Sequence, residues 1–423
     1  MVPSSKEIAQ LKQEETELKK LLENFKNASL ALDMTRGKPA PAQLDLSIEM
    51  LSLPGKDDYK AKEGTDCRNY GLLDGLPEAK AFFAEYMGVT KNEVIIGGNS
   101  SLALMHDTLT FAVLHGYPES EKAWCKQESI KFLCPVPGYD RHFSVCETLG
   151  IEMIPVDMDE NGPDMQQVSN YVKADSAIKG MWCVPQYSNP TGITYSPEVV
   201  EQLASMQTAA PDFKIMWDNA YAAHHLSHNK EKVHNLLEAC KKASNPDRAL
   251  MYGSTSKISL AGAGIAVLAS SEANIAWYKK YLSMQTIGHD KINQLRHLRF
   301  FKNVAGLEAH MKKHAGVLQS KFDKVDEVLG KDLGNVDSAT WTKPKGGYFV
   351  SLNVAEGCAT RVVALCAENG VKMTAAGATF PYGKDPKDSN IRIAPSLPSV
   401  AEIEKAMQVL CTCIKMATLE KYA

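Results

Sequence analysis

No apolar run in this 423-residue chain is long enough to span a bilayer, so no membrane partner is expected. Neither charge sign dominates: 47 basic and 50 acidic residues leave a formal net charge of -3. A general binder of nucleic acid or anionic membrane would need a dominant basic surface, so nucleic acid is also excluded as a partner. There is no internal repeat and no low-complexity tract. The ten cysteines include no CxxC pair and read as reduced thiols of a cytoplasmic protein. Cys411 and Cys413 lie two apart in an expected helix, so their side chains diverge. His224 with His228, and His310 with His314, could each share a helix face, but neither pair has the acidic ligand spacing of a zinc protease. They read as solvated or capped histidines, and no metal is expected. The N-terminal stretch "MVPSSKEIAQLKQEETELKKLLENF" lacks the basic-then-apolar order of a signal peptide and is too acidic for a mitochondrial presequence. It reads as a docked helix, with Ser4 and Glu7 as a capping box and Ile8, Leu11, Leu18, Leu22 and Phe25 on one face.

What is present is a regular alternation. Between about residues 70 and 270, seven short apolar runs occur: "EVIIGG", "IKFLCPVP", "IEMIPVDM", "IKGMWCVP", "FKIMWDNAY", "ALMYGS" and "AGIAVLAS". Helical patterns such as "SLALMHDTLTFAVLHG" and "SPEVVEQLASMQTAA" separate them. This order predicts an α/β protein with a largely parallel sheet covered on both faces. The section from about 275 to 330 is helical throughout. "KPKGGYFVSLNV", "ATRVVALCAENG" and "NIRIAPSLPS" then read as strand, helix and strand of a second, smaller α+β unit.

In open α/β sheets, ligands sit beyond the carboxyl ends of the strands. Here those ends carry polar or aromatic groups. Asn99, Ser100 and Ser101 follow the first run and open a helix, where free N–H groups and hydroxyls bind an anion; read alone, they are better explained as a plain N-cap. Tyr139 in "PVPGYD" and Asn189 in "SNPTG" read alone as turn residues. Asp218 closes a buried strand, as a paired or functional carboxylate or as a helix N-cap, with Tyr221 three residues on. Lys257 in "YGSTSKIS" follows Ser254 and Ser256. Arg392 lies between two isoleucines and so points to the opposite strand face, suited to gripping a carboxylate. One cofactor, pyridoxal 5'-phosphate, needs the whole set. Lys257 would form an imine with its aldehyde, and Asp218 would keep its ring nitrogen protonated. Tyr221 and Asn189 would reach its phenolic oxygen, and Tyr139 would stack on its ring. Asn99, Ser100, Ser101, Ser254 and Ser256 would hold its phosphate.

With "NYGLLDG", "PGYD", "SNPTG", "DNAY", "STSK", "PKGGYF" and "RIAPS" in order over about residues 30 to 400, the chain resembles the class I, fold type I aminotransferases. "MTRGKPAP", "CRNYG", "AGAG" and "IGHDKINQLRH" resemble the aspartate aminotransferase subgroup Ic. The resemblance implies a large seven-stranded, mostly parallel sheet between helices plus a small α+β domain. It divides the chain into residues 1–60, joining the small domain, 61–305, the large cofactor domain, and 306–423, the C-terminal small domain. It implies a homodimer with shared sites, in which Tyr70 reaches the neighbouring subunit's phosphate. Arg392 would bind the substrate α-carboxylate, with Asn189 beside it and Gly37 approaching the substrate side. Relatives place an arginine on the phosphate just beyond the lysine; here the segment reads Gly262-Ala263-Gly264-Ile265-Ala266, and Arg36, Arg141 and Lys291 are the replacements considered.

The function expected is amino transfer from an L-amino acid, aspartate by subgroup, to a 2-oxo acid such as 2-oxoglutarate, in a ping-pong cycle. Lys257, Asp218 and Tyr221 would carry the chemistry. The same scaffold also serves C–S β-elimination and aromatic or kynurenine-type amino transfer, since fold does not fix reaction type. A non-catalytic sensing module would carry a separate DNA-binding domain ahead of it, and only about 30 residues precede the matching region.

Overall fold

The computed structural model describes residues 1–226 and 230–423. His228, and with it the expected pairing to His224, lies outside the described residues.

All seven apolar runs become strands of one sheet. Its order is Val94–Ile96, Ala266–Ser270, Ala249–Ser254, Lys214–Asp218, Ile178–Cys183, Lys131–Val136, Glu152–Asp159 and Gly162–Pro163. The five strands from Ala249–Ser254 to Glu152–Asp159 run parallel. Ala266–Ser270 is antiparallel to both its neighbours, which returns Val94–Ile96 to the common direction. The two-residue Gly162–Pro163 adds an antiparallel edge beyond the seven strands expected. The runs are apolar throughout because both faces are covered: every residue of Ile178–Cys183 and of Lys214–Asp218 is buried. The lysines among them are neutralised in place. Lys179 Nζ lies 2.8 Å from Asp212, and Lys214 Nζ 3.0 Å from Glu119.

One apolar cluster covers one face of the sheet with Val168, Leu203 and Leu236, and another covers the opposite face with Leu104, Leu109 and Tyr278. A third draws on both ends of the chain. There the helices Ser5–Asn27 and Val304–Leu333 pack on Val400–Tyr422. Leu32–Asp33 pairs with Val371–Lys372, and Val350–Asn353 lies between Thr340–Trp341 and Asn390–Ile393. The N-terminal helix forms as its pattern predicts, with Leu11 and Leu18 buried. Only half of its capping box forms, however. Ser4 Oγ accepts from the Glu7 N–H at 3.2 Å, but the Glu7 carboxylate turns inward to the Ser338 hydroxyl.

Because these strands share a direction, the residues following Ile96, Val136, Cys183, Asp218 and Ser254 emerge at one edge of the sheet. Topology alone therefore assembles the polar strand ends.

Candidate active site

Asp218 is buried at the end of its strand. Its Oδ2 lies 3.1 Å from His142 Nε2, while Oδ1 is buried without a partner among the described residues. His142 stacks on Trp182, with centroids 4.1 Å apart and planes within 7°, and meets the Tyr139 ring edge-on at 4.9 Å. Tyr139 is the N-cap of Asp140–Thr148, so the turn that presents it also places His142 beneath. Burial, helped by the charges of Asp218 and Asp140, pushes the Tyr139 phenol up to about 12. Tyr221 is buried, and the Lys257 ammonium lies 5.1 Å from its ring centroid. Lys257 itself is half-buried. The protein packed around its ammonium lowers its pKa, and the Asp218 charge partly opposes this. An amine with depressed basicity thus faces a carboxylate that has one unused oxygen.

Next to this pair the chain forms a cradle. Ser100 caps the helix Ser101–His115, accepting from the Ala103 N–H at 3.4 Å. Ser256 Oγ donates to the Asn99 carbonyl at 3.1 Å, and Asn99 Nδ2 to the Gly262 carbonyl at 3.4 Å. Ser254 ends its strand half-buried. Gly264 packs so closely that a Cβ would stand 3.0 Å from the Ser256 nitrogen, which explains the small-residue run. Asn293 Nδ2 holds the Ala263 and Gly264 carbonyls at 3.0 and 2.9 Å. None of the three cations considered at the sequence level is bonded into this cradle. Lys291 donates to the Gly71 carbonyl at 2.9 Å, and Arg36 and Arg141 are exposed.

Arg392 is not a solvated edge residue, being only 7% exposed. Its Nη1 donates to Asp140 Oδ1 at 2.8 Å and to Asn189 Oδ1 at 3.4 Å, and its guanidinium lies 5.0 Å from the Phe349 ring centroid. Gly37 shares that ring as a neighbour, since a Cβ there would overlap Phe349. Tyr70 is the residue the structure does not bring in: it is 79% exposed on the surface.

Sequence reasoning missed the residues behind these groups. The histidines set down as solvated or capping are buried around the Lys257 backbone. His224 Nε2 donates to the Lys257 carbonyl at 3.3 Å, and His310 Nε2 lies 2.9 Å from the Ile258 carbonyl and 3.0 Å from His314 Nε2. His297 donates from Nδ1 to the Asn293 carbonyl at 2.8 Å, which leaves Nε2 to accept from Thr255 or Ser259 at 3.0 and 2.9 Å. Among the described residues no group of three His, Cys, Asp or Glu is arranged to hold a metal. For His142 a signal existed in "GYDRH": three residues past Tyr139, it falls on the same helix face.

A strand-end lysine, an unsatisfied buried carboxylate and a buried arginine on an α/β scaffold define a class of enzyme, the fold type I aminotransferases. Comparison with known proteins narrows the class. A family model described as aspartate amino-transferase matches residues 4–423. An aspartate aminotransferase of Corynebacterium glutamicum is 46% identical over 407 residues, 96% of this chain and 94% of that one. The crystal structure of an aspartate transaminase from the same species superposes with a TM-score of 0.96 at 45% identity, covering 98% of each chain. A kynurenine aminotransferase of Pyrococcus horikoshii shares the fold alone, with a TM-score of 0.75 at 18% identity over 96% of this chain and 95% of its own. This chain belongs to the aspartate aminotransferase family. Membership implies pyridoxal phosphate as the cofactor.

Proposed function

We propose that this enzyme transfers the amino group of an L-amino acid, aspartate foremost, to 2-oxoglutarate in a ping-pong cycle, with pyridoxal 5'-phosphate held between Asp218 and Lys257. The observation that carries the reading is the buried, unpartnered Asp218 Oδ1 in the same site as the depressed Lys257 amine. A pyridinium N–H fits that oxygen, and an aldehyde fits that amine. The similarity to the aspartate aminotransferase of Corynebacterium glutamicum supports aspartate as donor.

Bound there, the cofactor supplies an exchangeable aldehyde and an electron-withdrawing ring. The residues of this chain supply the rest. Asp218, held by His142, would accept from the ring-nitrogen N–H through its free Oδ1. Tyr139 would cover one face of the ring, Tyr221 and Asn189 would serve the phenolic oxygen, and Asn99, Ser100, Ser101, Ser254 and Ser256 would hold the phosphate. Arg392 grips the α-carboxylate, and the close packing at Gly37 sets the wall behind it. Lys257 Nζ, its basicity lowered by poor solvation, would take the substrate α-proton and return it later in the cycle.

We also propose that the working unit is a cytoplasmic homodimer, with Tyr70 completing the partner's site. Its large domain would be residues 61–305, and its small domain would join 1–60 to 306–423. No helix among the described residues is long and apolar enough to cross a membrane. Ten free thiols, of which Cys125 is exposed, accord with a reducing compartment.

Replacing Lys257 by alanine is expected to abolish transamination while the protein still binds cofactor. Substantial turnover by cofactor-loaded Lys257→Ala would reject the assignment. A screen of amino donors against 2-oxoglutarate tests the substrate reading, and faster turnover of aromatic donors than of aspartate would overturn that part alone.

A further inference from the structure

The ion pair on Arg392 does not have the form of a permanent one. A guanidinium offers five N–H donors, and arginine–carboxylate pairs frequently use two of them side by side. Here Asp140 takes one, from Nη1, at 2.8 Å. Asn189 adds a long contact to the same nitrogen at 3.4 Å, and Nε is buried without any partner among the described residues. The two partners also differ in exposure. The Arg392 side chain is 7% exposed and that of Asp140 35%. Asp140 can turn its carboxylate to water at small cost. Arg392 cannot, and a buried guanidinium without a counter-charge is costly.

We propose that Asp140 is a tethered competitor for the substrate. Its carboxylate stands on the nitrogen that the substrate α-carboxylate needs, and binding requires the exchange of one for the other. The inference rests on the reading of Arg392 as the α-carboxylate residue. Its consequence is an affinity set below what the arginine could give. The substrate gains only the difference between its own grip on Arg392 and that of Asp140. Because the 2-oxo acid product carries the same carboxylate, the exchange lowers product affinity as well, which favours release. Asp140 directly follows Tyr139, so the turn that presents the ring-stacking tyrosine also delivers the competitor.

The test is the affinity of the holoenzyme for succinate, a dicarboxylate without an amino group, measured by calorimetry. Asp140→Asn keeps the shape of the side chain and removes its charge. It is expected to tighten succinate binding by about two- to fivefold, the scale of a partly exposed ion pair. Asp140→Ser should move affinity in the same direction, and the visible cofactor band of each variant reports that the site is intact. Unchanged or weaker binding in both variants would overturn the proposal, because a residue that merely orients Arg392 would weaken binding when lost. Arg392→Lys separates this from the underlying reading. If it loses succinate while neither Asp140 variant gains, the competitor role alone fails. If it binds succinate as well as the wild type does, Arg392 is not the carboxylate residue, and the proposal falls with that reading.

Discussion

Asp218 shows how one side chain divides its two oxygens between structure and chemistry. Oδ2 is committed to His142, and Oδ1 faces a position where the protein offers no donor. A carboxylate in that setting is costly unless something pairs with it. Asp218→Asn would keep the size and the His142 contact but remove the charge. The expected result is a loss of roughly 10²–10³ in the rate of amino transfer, the scale of a lost electrostatic group aimed at developing charge. Single-turnover kinetics of each half-reaction would measure it, and a rate within a few fold of wild type would refute the role. Asp218, Lys257 and Arg392 stood out in the sequence because each is a charge set at or beside an apolar strand end, although an N-cap or a solvated edge position also explains such residues when each is read alone. His142 and Asp140 were not legible as partners. They lie 76 residues from Asp218 and 252 from Arg392, and only the folded sheet brings them together. The phosphate candidates show the same limit, since composition shows that a cation exists, not where it ends up: Arg36 and Arg141 are exposed, and Lys291 is buried against the Gly71 carbonyl.

At the scale of elements, the strands were read correctly because burial on both faces leaves uninterrupted apolar runs. The Gly162–Pro163 edge was missed because two residues carry no pattern. Helical spacing showed that His310 and His314 share a face, but it could not show that this face abuts the Lys257 segment. The error has a thermodynamic consequence. Burial depresses His224 to about 3 and His297 and His314 to about 4, all from an ordinary 6.5. Above pH 6.5 they are neutral in both folded and unfolded chains and contribute nothing to pH dependence. Below it the unfolded chain takes up protons that the fold refuses, so stability falls with pH until about pH 4. Each such histidine costs about 1.4 kcal/mol per pH unit in that window. Urea unfolding should therefore show several kcal/mol less stability at pH 5 than at pH 7. His297→Gln, which has no proton to gain, should flatten that slope while lowering stability at pH 7. An unchanged slope in the variant would show that His297 does not contribute. The Nε2 of His297 accepts from the Thr255 or the Ser259 hydroxyl, so protonation would also loosen the segment that carries Lys257.

For the whole molecule, the arrangement leaves one expected site residue outside. Tyr70 is 79% exposed, and Leu72 and Ile287 are exposed on segments joined where Gly288 packs against Gly71. Clustered apolar side chains at a surface mark an interaction face. Tyr70 directly precedes Gly71, whose carbonyl Lys291 holds, and under the proposed homodimer it would complete a site across a two-fold axis. Such sharing makes a prediction that no single-subunit arrangement reproduces. Lys257→Ala and Tyr70→Ala proteins should each be impaired alone. Unfolded together and refolded as a mixture, half of the dimers would contain one of each subunit. In those hybrids one site would collect both defects, and the other would combine an intact Lys257 with an intact Tyr70. Activity in the mixture should rise to about a quarter of the wild-type value, from random pairing with one restored site in each hybrid. If Tyr70 acts within its own subunit, every site in the hybrid keeps one defect. The mixture would then show only the average of the two parents, and the shared site would be rejected.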